Sequence, residues 1–210
     1  MEHLQLSNQN TRLLLASGND GKLREFRVLA AGHAIELDLL PGFAALPEFP
    51  ENAPTFAENA AGKALYYSRR SGEMVFADDS GLVVPAIGGA PGVLSARYAG
   101  PGASNEKRIE KLLSELAAMK DAERAAYFVC VIAVASRGKV RAVVSGRVDG
   151  IILEQARGNE GFGYDPVFYL PEVKKTFAEL GAEEKNLRSH RGKAFQRMME
   201  VLESDEKRID

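Results

Sequence analysis

Two long strand-like runs separated by a tight turn constrain the fold of this chain more than any other feature. Residues 125–135 (AAYFVCVIAVA) and 139–148 (KVRAVVSGRV) each predict a long strand, and the turn Ser136-Arg137-Gly138 lies between them. Strand-like runs joined by a short glycine-bearing turn are typical of an antiparallel hairpin. We therefore predict that these residues form a hairpin within a sheet.

The earlier part of the chain alternates strands with helices. Residues 11–16 (TRLLLA) predict a short buried strand, and Leu23 and Phe26 begin an apolar pattern of helical period after it. A second strand-like run, AIELDLL, follows that helix. Strand-helix-strand units favour parallel pairing, whereas the later hairpin is antiparallel. The fold class that we predict is therefore α/β, with a mixed twisted sheet flanked by helices.

A proline-rich loop, residues 41–54, interrupts this pattern. A loop of this length inside a domain needs either a function or disorder to explain it. Thr55 and Glu58 after it match the capping box that begins a helix. A strand, MVFAD, then ends in the polar segment Asp78-Asp79-Ser80-Gly81, which we expect to form a turn.

Composition excludes several classes of function. Charged residues make up 27% of the 210 residues and give a formal net charge of −2, so no global basic field attracts nucleic acid or anionic lipid. The longest apolar run, residues 125–135, is shorter than the roughly 20 residues needed to span a bilayer. We predict neither nucleic acid nor a membrane as partner. The first ten residues lack signal-peptide features and the single cysteine, Cys130, lies in an apolar run, so we predict a cytoplasmic protein and a buried cysteine.

The first polar motif lies between the first strand and the first helix. Its residues are Ser17, Gly18, Asn19, Asp20, Gly21 and Lys22. Backbone N–H groups at a helix N-terminus, with a lysine beside them, can bind phosphate. The motif is not a Walker A loop, because only two residues separate its glycines and Leu23 follows the lysine. Taken alone, it fits a solvated turn equally well.

The second motif contains the adjacent carboxylates Asp78 and Asp79. Carboxylate oxygens are ligands of Mg²⁺ and can act as a general base. Neighbouring side chains of an extended segment point to opposite faces, so one aspartate is expected to face a site and the other to cap or pair. Ser80 lacks the surroundings of a catalytic nucleophile. For an isolated Asp-Asp pair, a turn-capping role would be favoured.

The third motif is divided between residues 161–166 (GFGYDP) and a later polar stretch. Its candidate residues are Phe162, Gly163, Tyr164, Asp165, Lys185, His190 and Arg191. The glycines permit close backbone approach to a ligand, the phenylalanine ring offers a stacking surface, and the aspartate is an acceptor. This set suits a purine, although each part alone is also typical of a bend or a solvated helix start.

Together these segments resemble the inosine/xanthosine triphosphate pyrophosphatase family. The resemblance spans nearly the whole chain and is carried by LLLASGNDGKLREF, TFAENAAGKA, FADDSGLVVPAIGGAPGVLSARYAG, GFGYDPVFYLP and EEKNLRSHRGKAF, in the family's order. It implies a bilobal fold with a central nucleotide-binding groove, hydrolysis of non-standard purine nucleoside triphosphates with Mg²⁺, and a homodimer. It divides the chain into an extension (1–10), one two-lobed domain (11–203) and a tail (204–210).

The resemblance also implies roles for residues of all three motifs. The expected substrate contacts are Ser17, Gly18, Asn19, Asp20, Gly21 and Lys22 for the triphosphate, Lys63 for phosphate, Ser80, the nucleoside-pocket residues Phe162, Gly163, Tyr164 and Asp165, Lys185 for phosphate or base, and His190 and Arg191 as readers of the purine. Asp79 is expected to bind the metal and to activate water. The family often has adjacent acidic residues before the following helix, whereas here Glu51 stands alone after Pro50. Glu51 is the expected second metal ligand, and Glu48 stays open as the alternative.

Three other functions stay open from the sequence. A nucleotide sensor without catalysis would keep the same loops. A nucleic-acid-binding protein is disfavoured by the near-neutral charge and by the absence of a basic-aromatic pattern. A pyrophosphatase acting on modified pyrimidines or on methylated guanine is the nearest enzymatic alternative.

Overall fold

The computed structural model describes residues 11–119 and 122–206. The predicted extension, 1–10, and the end of the predicted tail, 207–210, lie outside these residues. The strands are β1 (Thr11–Leu15), β2 (Ile35–Leu39), β3 (Met74–Val83), β4 (Ala125–Ser136), β5 (Lys139–Ile152), β6 (Phe168–Leu170) and β7 (Lys175–Thr176). The α-helices are α1 (Asp20–Ala30), α2 (Phe56–Ser68), α3 (Asn105–Ala117), α4 (Ala182–Arg188) and α5 (His190–Glu206).

The strands form a seven-stranded sheet in the order β2-β1-β3-β4-β5-β6-β7. β1 pairs in parallel with β2 and β3, and the remaining neighbours are antiparallel. The predicted mixed sheet and the β4–β5 hairpin are both confirmed. The hairpin turn places Arg137 and Gly138 at φ values of 50° and 72°, the left-handed region that two-residue hairpin turns require.

The strand that carries the two aspartates does not end where the sequence predicts. β3 continues to Val83, and its pairing with β4 runs from Val75 opposite Ala135 to Val83 opposite Tyr127. The predicted turn after Asp79 is therefore wrong, because β4 supplies a hydrogen-bonding partner along this whole segment. Gly81 serves close packing instead, since a Cβ there would lie 2.4 Å from Ser95 Oγ.

Helices cover both faces of the sheet. Leu23 and Phe26 of α1 pack with Phe195 and Met198 of α5 over one face. On the opposite face, α2 packs its buried side chains against β1, β3 and β4. Phe195, Met198, Met199 and Leu202 of α5 are buried, whereas Val28 of α1 is exposed and lies outside the packed face. In the part of the chain described above, no helix combines the length and apolar character needed to cross a membrane.

Candidate active site

A polar cavity of about 430 Å³ brings the three motifs together. This volume is within the range of sites that take small ligands. Of the residues predicted from the sequence, those lining it are Ser17, Gly18, Asn19, Lys22, Glu48, Glu51, Lys63, Asp79, Ser80, Phe162, Gly163, Tyr164, Asp165, Lys185, His190 and Arg191. Segments that are more than 100 residues apart in sequence therefore share one site.

Two predicted residues do not line the cavity. Asp20 is exposed in the first turn of α1. Gly21 lies beneath the ring of Phe162, and a Cβ there would approach that ring to 2.9 Å. The glycine therefore allows Phe162 to rest on the start of α1. Conversely, the cavity has lining residues that the sequence analysis did not single out: Gly81, Val93, Ser95, Ala96, Arg97, Arg108 and Phe128.

The N-terminus of α1 opens into the cavity. Asn19 caps the helix, with its Oδ1 accepting a hydrogen bond from the backbone N–H of Lys22 at 3.1 Å. The backbone N–H of Asn19 in turn donates to Ser17 Oγ at 3.2 Å. An eleven-residue helix directs the positive end of its dipole at this point. The loop is therefore built to receive an anion.

Asp78 points away from the cavity and into a buried ion-pair network. Its Oδ2 lies 3.0 Å from Lys22 Nζ and 3.5 Å from Arg191 Nη2. Burial alone would raise the pKa of Asp78, but the two cations dominate and hold it well below its usual range. The expectation that one aspartate pairs while the other faces the site agrees with this placement.

Asp79 faces the cavity from the same strand. Its Oδ2 accepts from Asn59 Nδ2 and its Oδ1 from the backbone N–H of Ser80, both at 3.0 Å. Burial is the main cause that raises the pKa of Asp79 to about 6, and the neighbouring charges of Glu51 and Asp78 add to it. A cavity carboxylate with a pKa near neutrality is suited to accept a proton from water.

Glu51 is close enough to Asp79 for its charge to raise the pKa of that residue. Its side chain pairs with Lys63 at 2.5 Å, and its carbonyl oxygen accepts from Arg97 at 2.7 Å. Glu48 lines the same cavity. The effect of the Glu51 charge on Asp79 favours Glu51 as the second carboxylate of the site, and the choice between Glu51 and Glu48 stays a prediction.

The donor chemistry of this pair fits Mg²⁺. Asp79 and Glu51 offer carboxylate oxygens to one polar cavity. Within residues 11–119 and 122–206, no group of three or more His, Cys, Asp or Glu side chains could hold a metal ion. Mg²⁺ commonly uses only one or two protein carboxylates and completes its octahedron with water and substrate phosphate.

Glu25 organises the opposite wall of the cavity, and this role was not predicted from the sequence. Its two oxygens bind Lys185 Nζ, at 2.5 Å, and Arg191 Nη1. Lys185 also contacts Asp165 Oδ2 at 2.7 Å, and these two carboxylates raise the pKa of Lys185 despite its burial. The available signal was the position of Glu25 on α1 three residues after Lys22, which places both on one helix face.

The guanidinium of Arg191 is engaged by protein groups. Nη1 donates to Glu25, and Nη2 donates to Ser80 Oγ at 2.8 Å and to Asp78. Its side chain is 2% exposed. The predicted reading of a purine by Arg191 therefore stays a prediction, and the observed contacts make this residue a fixed part of the pocket wall.

His190 is buried against the ring of Phe128, with ring centroids 4.7 Å apart and nearly parallel planes. Burial, followed by the charges of Arg191 and Lys185, lowers the pKa of His190 well below its ordinary value. The imidazole is therefore neutral, with one nitrogen able to donate and the other able to accept.

This buried imidazole makes stability depend on pH. The folded pKa of His190 lies below the unfolded value, so folding loses stability as pH falls through about 6.5, where only the unfolded chain binds the proton. Between pH 7.5 and pH 5.0 we expect the unaltered protein to lose about 2 kcal/mol more than His190→Gln. Urea unfolding at both pH values measures this difference, because groups shared by the two proteins cancel. Equal losses would contradict a neutral buried histidine.

The aromatic part of the site is also held in place. Phe162 is half-buried, with Lys185 Nζ 5.0 Å from its ring centroid, and the hydroxyl of Tyr164 donates to Ser95 O at 3.0 Å. The half-buried ring of Phe162 is a suitable stacking surface for a nucleobase.

The fold and the cavity define an α/β protein with a site for a polyanionic, aromatic ligand. Residues 13–201 match the Ham1 family, and the chain belongs to that family. It is 51% identical over 191 residues to the dITP/XTP pyrophosphatase of Geobacillus kaustophilus, covering 91% of this chain and 94% of that protein. A relative of the same name from Gloeobacter violaceus is 48% identical over 189 residues, with 89% and 92% covered.

Solved structures agree with this membership. A HAM1 protein from Coxiella burnetii superposes with a TM-score of 0.84 at 40% identity, covering 92% of this chain and 99% of that one. The Ham1 protein of Staphylococcus aureus gives a TM-score of 0.81 at 38% identity, with 93% and 100% covered.

Proposed function

We propose that this protein hydrolyses the non-standard purine nucleoside triphosphates ITP, dITP and XTP to the monophosphate and pyrophosphate, and so removes them from the nucleotide pool. The observation that carries the proposal is Asp79, a buried carboxylate that faces a cavity with a helix N-terminus on one side. The relatives named dITP/XTP pyrophosphatase, which match about nine-tenths of the chain, support it.

The reaction adds water across the anhydride between the α- and β-phosphates. The water oxygen forms a bond to the α-phosphorus, the bond to the bridging oxygen breaks, and pyrophosphate leaves with the electron pair. Asp79 accepts the proton of the attacking water or orients it. Lys63 and the N-terminus of α1 bind phosphate oxygens and stabilise the charge that develops on the leaving group.

Mg²⁺ is the cofactor that we propose, held by Asp79 and Glu51. When bound, it would neutralise phosphate charge and orient the α-phosphate. The fit of this pair of carboxylates to a hard cation supports the assignment.

The base pocket accounts for a preference for 6-oxopurines. Hypoxanthine and xanthine present a carbonyl acceptor at C6, where adenine presents an amino donor. His190 can donate one hydrogen bond. An adenine amino group would leave this buried donor without an acceptor, which is a mismatch that rejects ligands strongly.

We expect kcat/KM for ATP to be at least about 100-fold below that for ITP. Pyrophosphate release measured with Mg²⁺ on a panel of ITP, dITP, XTP, ATP, GTP, modified pyrimidine triphosphates and methylated GTP tests both the reaction and the substrate class. Equal rates for ATP and ITP would contradict the role given to the base pocket. Release of phosphate rather than pyrophosphate would contradict the reaction.

We propose that the protein is a homodimer and that it is located in the cytoplasm. Leu94, within the segment GGAPGVLSARY, is 47% exposed on a 3₁₀ segment (Gly92–Arg97), as a subunit contact would require. Sedimentation of the purified protein measures its mass.

The buried, unpaired Cys130 is compatible with a reducing compartment.

A further inference from the structure

One buried amide connects the strand that carries Asp79 to the loop that carries Glu51. Asn59 of α2 is 1% exposed, and its Nδ2 donates to Asp79 Oδ2 at 3.0 Å. The same side chain accepts from the backbone N–H of Ala53 at 2.9 Å and donates to the carbonyl of Ala53 at 3.3 Å. Ala53 is two residues from Glu51. Asn59 therefore binds the strand that carries one carboxylate and the loop that carries the other.

The loop depends on such contacts for its position. Between β2 and α2 it contains one 3₁₀ turn (Phe43–Ala45) and no strand, so backbone pairing does not fix its approach to β3. Only an amide provides what Asn59 provides: an oxygen that accepts from an N–H, and an NH₂ that can donate to both a carbonyl and a carboxylate. An aspartate at this position would lack both donors.

We propose that Asn59 is a positioning residue that sets the separation between Asp79 and Glu51, so that both carboxylates bind one divalent cation. This inference rests on the proposed function for the role of that cation. Outer hydrogen-bond partners that orient metal ligands contribute about 10- to 100-fold to metal affinity. Asn59 touches neither the substrate pocket's aromatic wall nor the phosphate loop among its observed hydrogen bonds.

Asn59→Ala removes all three hydrogen bonds. In the full-length protein without nucleotide, we expect its dissociation constant for Mn²⁺, a spectroscopic probe for Mg²⁺, to rise about tenfold in an electron paramagnetic resonance titration. The backbone N–H of Ala53 loses its acceptor, so its hydrogen exchange should become faster. The Mg²⁺ concentration that gives half-maximal hydrolysis of ITP should rise by a similar factor, with a smaller change in kcat at saturating Mg²⁺.

Ser68→Ala is the matched control. Ser68 is also fully buried on α2 and bonds to the backbone, accepting from Gly138 N–H at 3.1 Å, but its partner lies in the hairpin turn and not in the loop of Glu51. Ser68→Ala should leave Mn²⁺ affinity and Ala53 exchange unchanged. Asn59→Ser is the second variant, because its short hydroxyl cannot span the same three partners, and it should behave like Asn59→Ala if the latter does not fold.

Several results would overturn the inference. These are unchanged Mn²⁺ affinity in the Asn59 variants, unchanged exchange at Ala53, equal weakening in Ser68→Ala, or an unaltered protein that does not bind Mn²⁺. The binding and exchange measurements contain no nucleotide. An unaltered protein that binds Mn²⁺ but releases no pyrophosphate from ITP would therefore contradict the proposed function and leave the role of Asn59 supported.

Discussion

Asp79→Asn is expected to lower kcat for ITP by at least about 10³-fold, because it removes both the general base and a carboxylate ligand of the cation. The free energy of unfolding should change little, because two consequences of the substitution oppose each other. Burial raises the pKa of Asp79 to about 6, above its unfolded value, so the ionised carboxylate costs stability above that pH and the neutral amide removes this cost. The amide NH₂, however, cannot accept one of the two hydrogen bonds that Asn59 and Ser80 donate to Asp79. Pyrophosphate release and thermal unfolding, both at pH 8, measure the two effects.

Asp149→Asn is a suitable control for this experiment. Asp149 is 71% exposed and pairs only with Arg147 among its observed salt bridges. The Asp149→Asn variant should retain the kcat of the unaltered protein. Near-normal turnover in Asp79→Asn would remove Asp79 from the reaction, and a large fall in its thermal midpoint would show that the carboxylate is needed for folding.

Glu25→Gln is expected to lower the free energy of unfolding by about 3 kcal/mol. Removing one partner of a buried ion-pair network leaves an uncompensated charge, which typically costs about 3–5 kcal/mol. The lower end of this energy range applies because Lys185 still pairs with Asp165 and Arg191 still pairs with Asp78 in the variant. In a domain of this size the thermal midpoint should fall by roughly 6–12 °C.

The control for this second substitution is Glu184→Gln. Glu184 pairs with Arg188 at 3.7 Å on the surface of α4, where both side chains are about 40% exposed. Such pairs contribute about 0–1 kcal/mol, so this variant should unfold close to the unaltered protein. Equal destabilisation by the two substitutions would show that the Glu25 network contributes no more than a surface pair.

Local patterns in the sequence predicted β1 to β5, the helices α1 and α2 and the hairpin, because periodicity and capping are local properties, whereas the short strands β6 and β7 were not predicted. The capping box at Thr55 is an example, with its Oγ1 accepting from the N–H of Glu58. The full length of β3 could not be predicted, since only the distant strand β4 extends it past Asp79. The predicted division into two lobes stays a prediction.

The candidate site was predictable as motifs but not as a network. The choice between Glu51 and Glu48 depends on how an irregular loop packs against β3, and no periodic pattern encodes that packing. Glu25 and Asn59 read as ordinary helix residues in the sequence. Their importance comes from burial beside Arg191 and Asp79, which is a property of the tertiary structure.

Under the proposed function, the ion pair between Lys63 and Glu51 would make nucleotide and cation thermodynamically linked ligands. A triphosphate that draws the Lys63 ammonium to its own oxygens leaves the Glu51 carboxylate without a counter-charge, and that carboxylate then attracts a divalent cation more strongly. A cation on Glu51 releases the ammonium for phosphate in the same way. Because such coupling is reciprocal, each ligand raises the affinity for the other by the same factor.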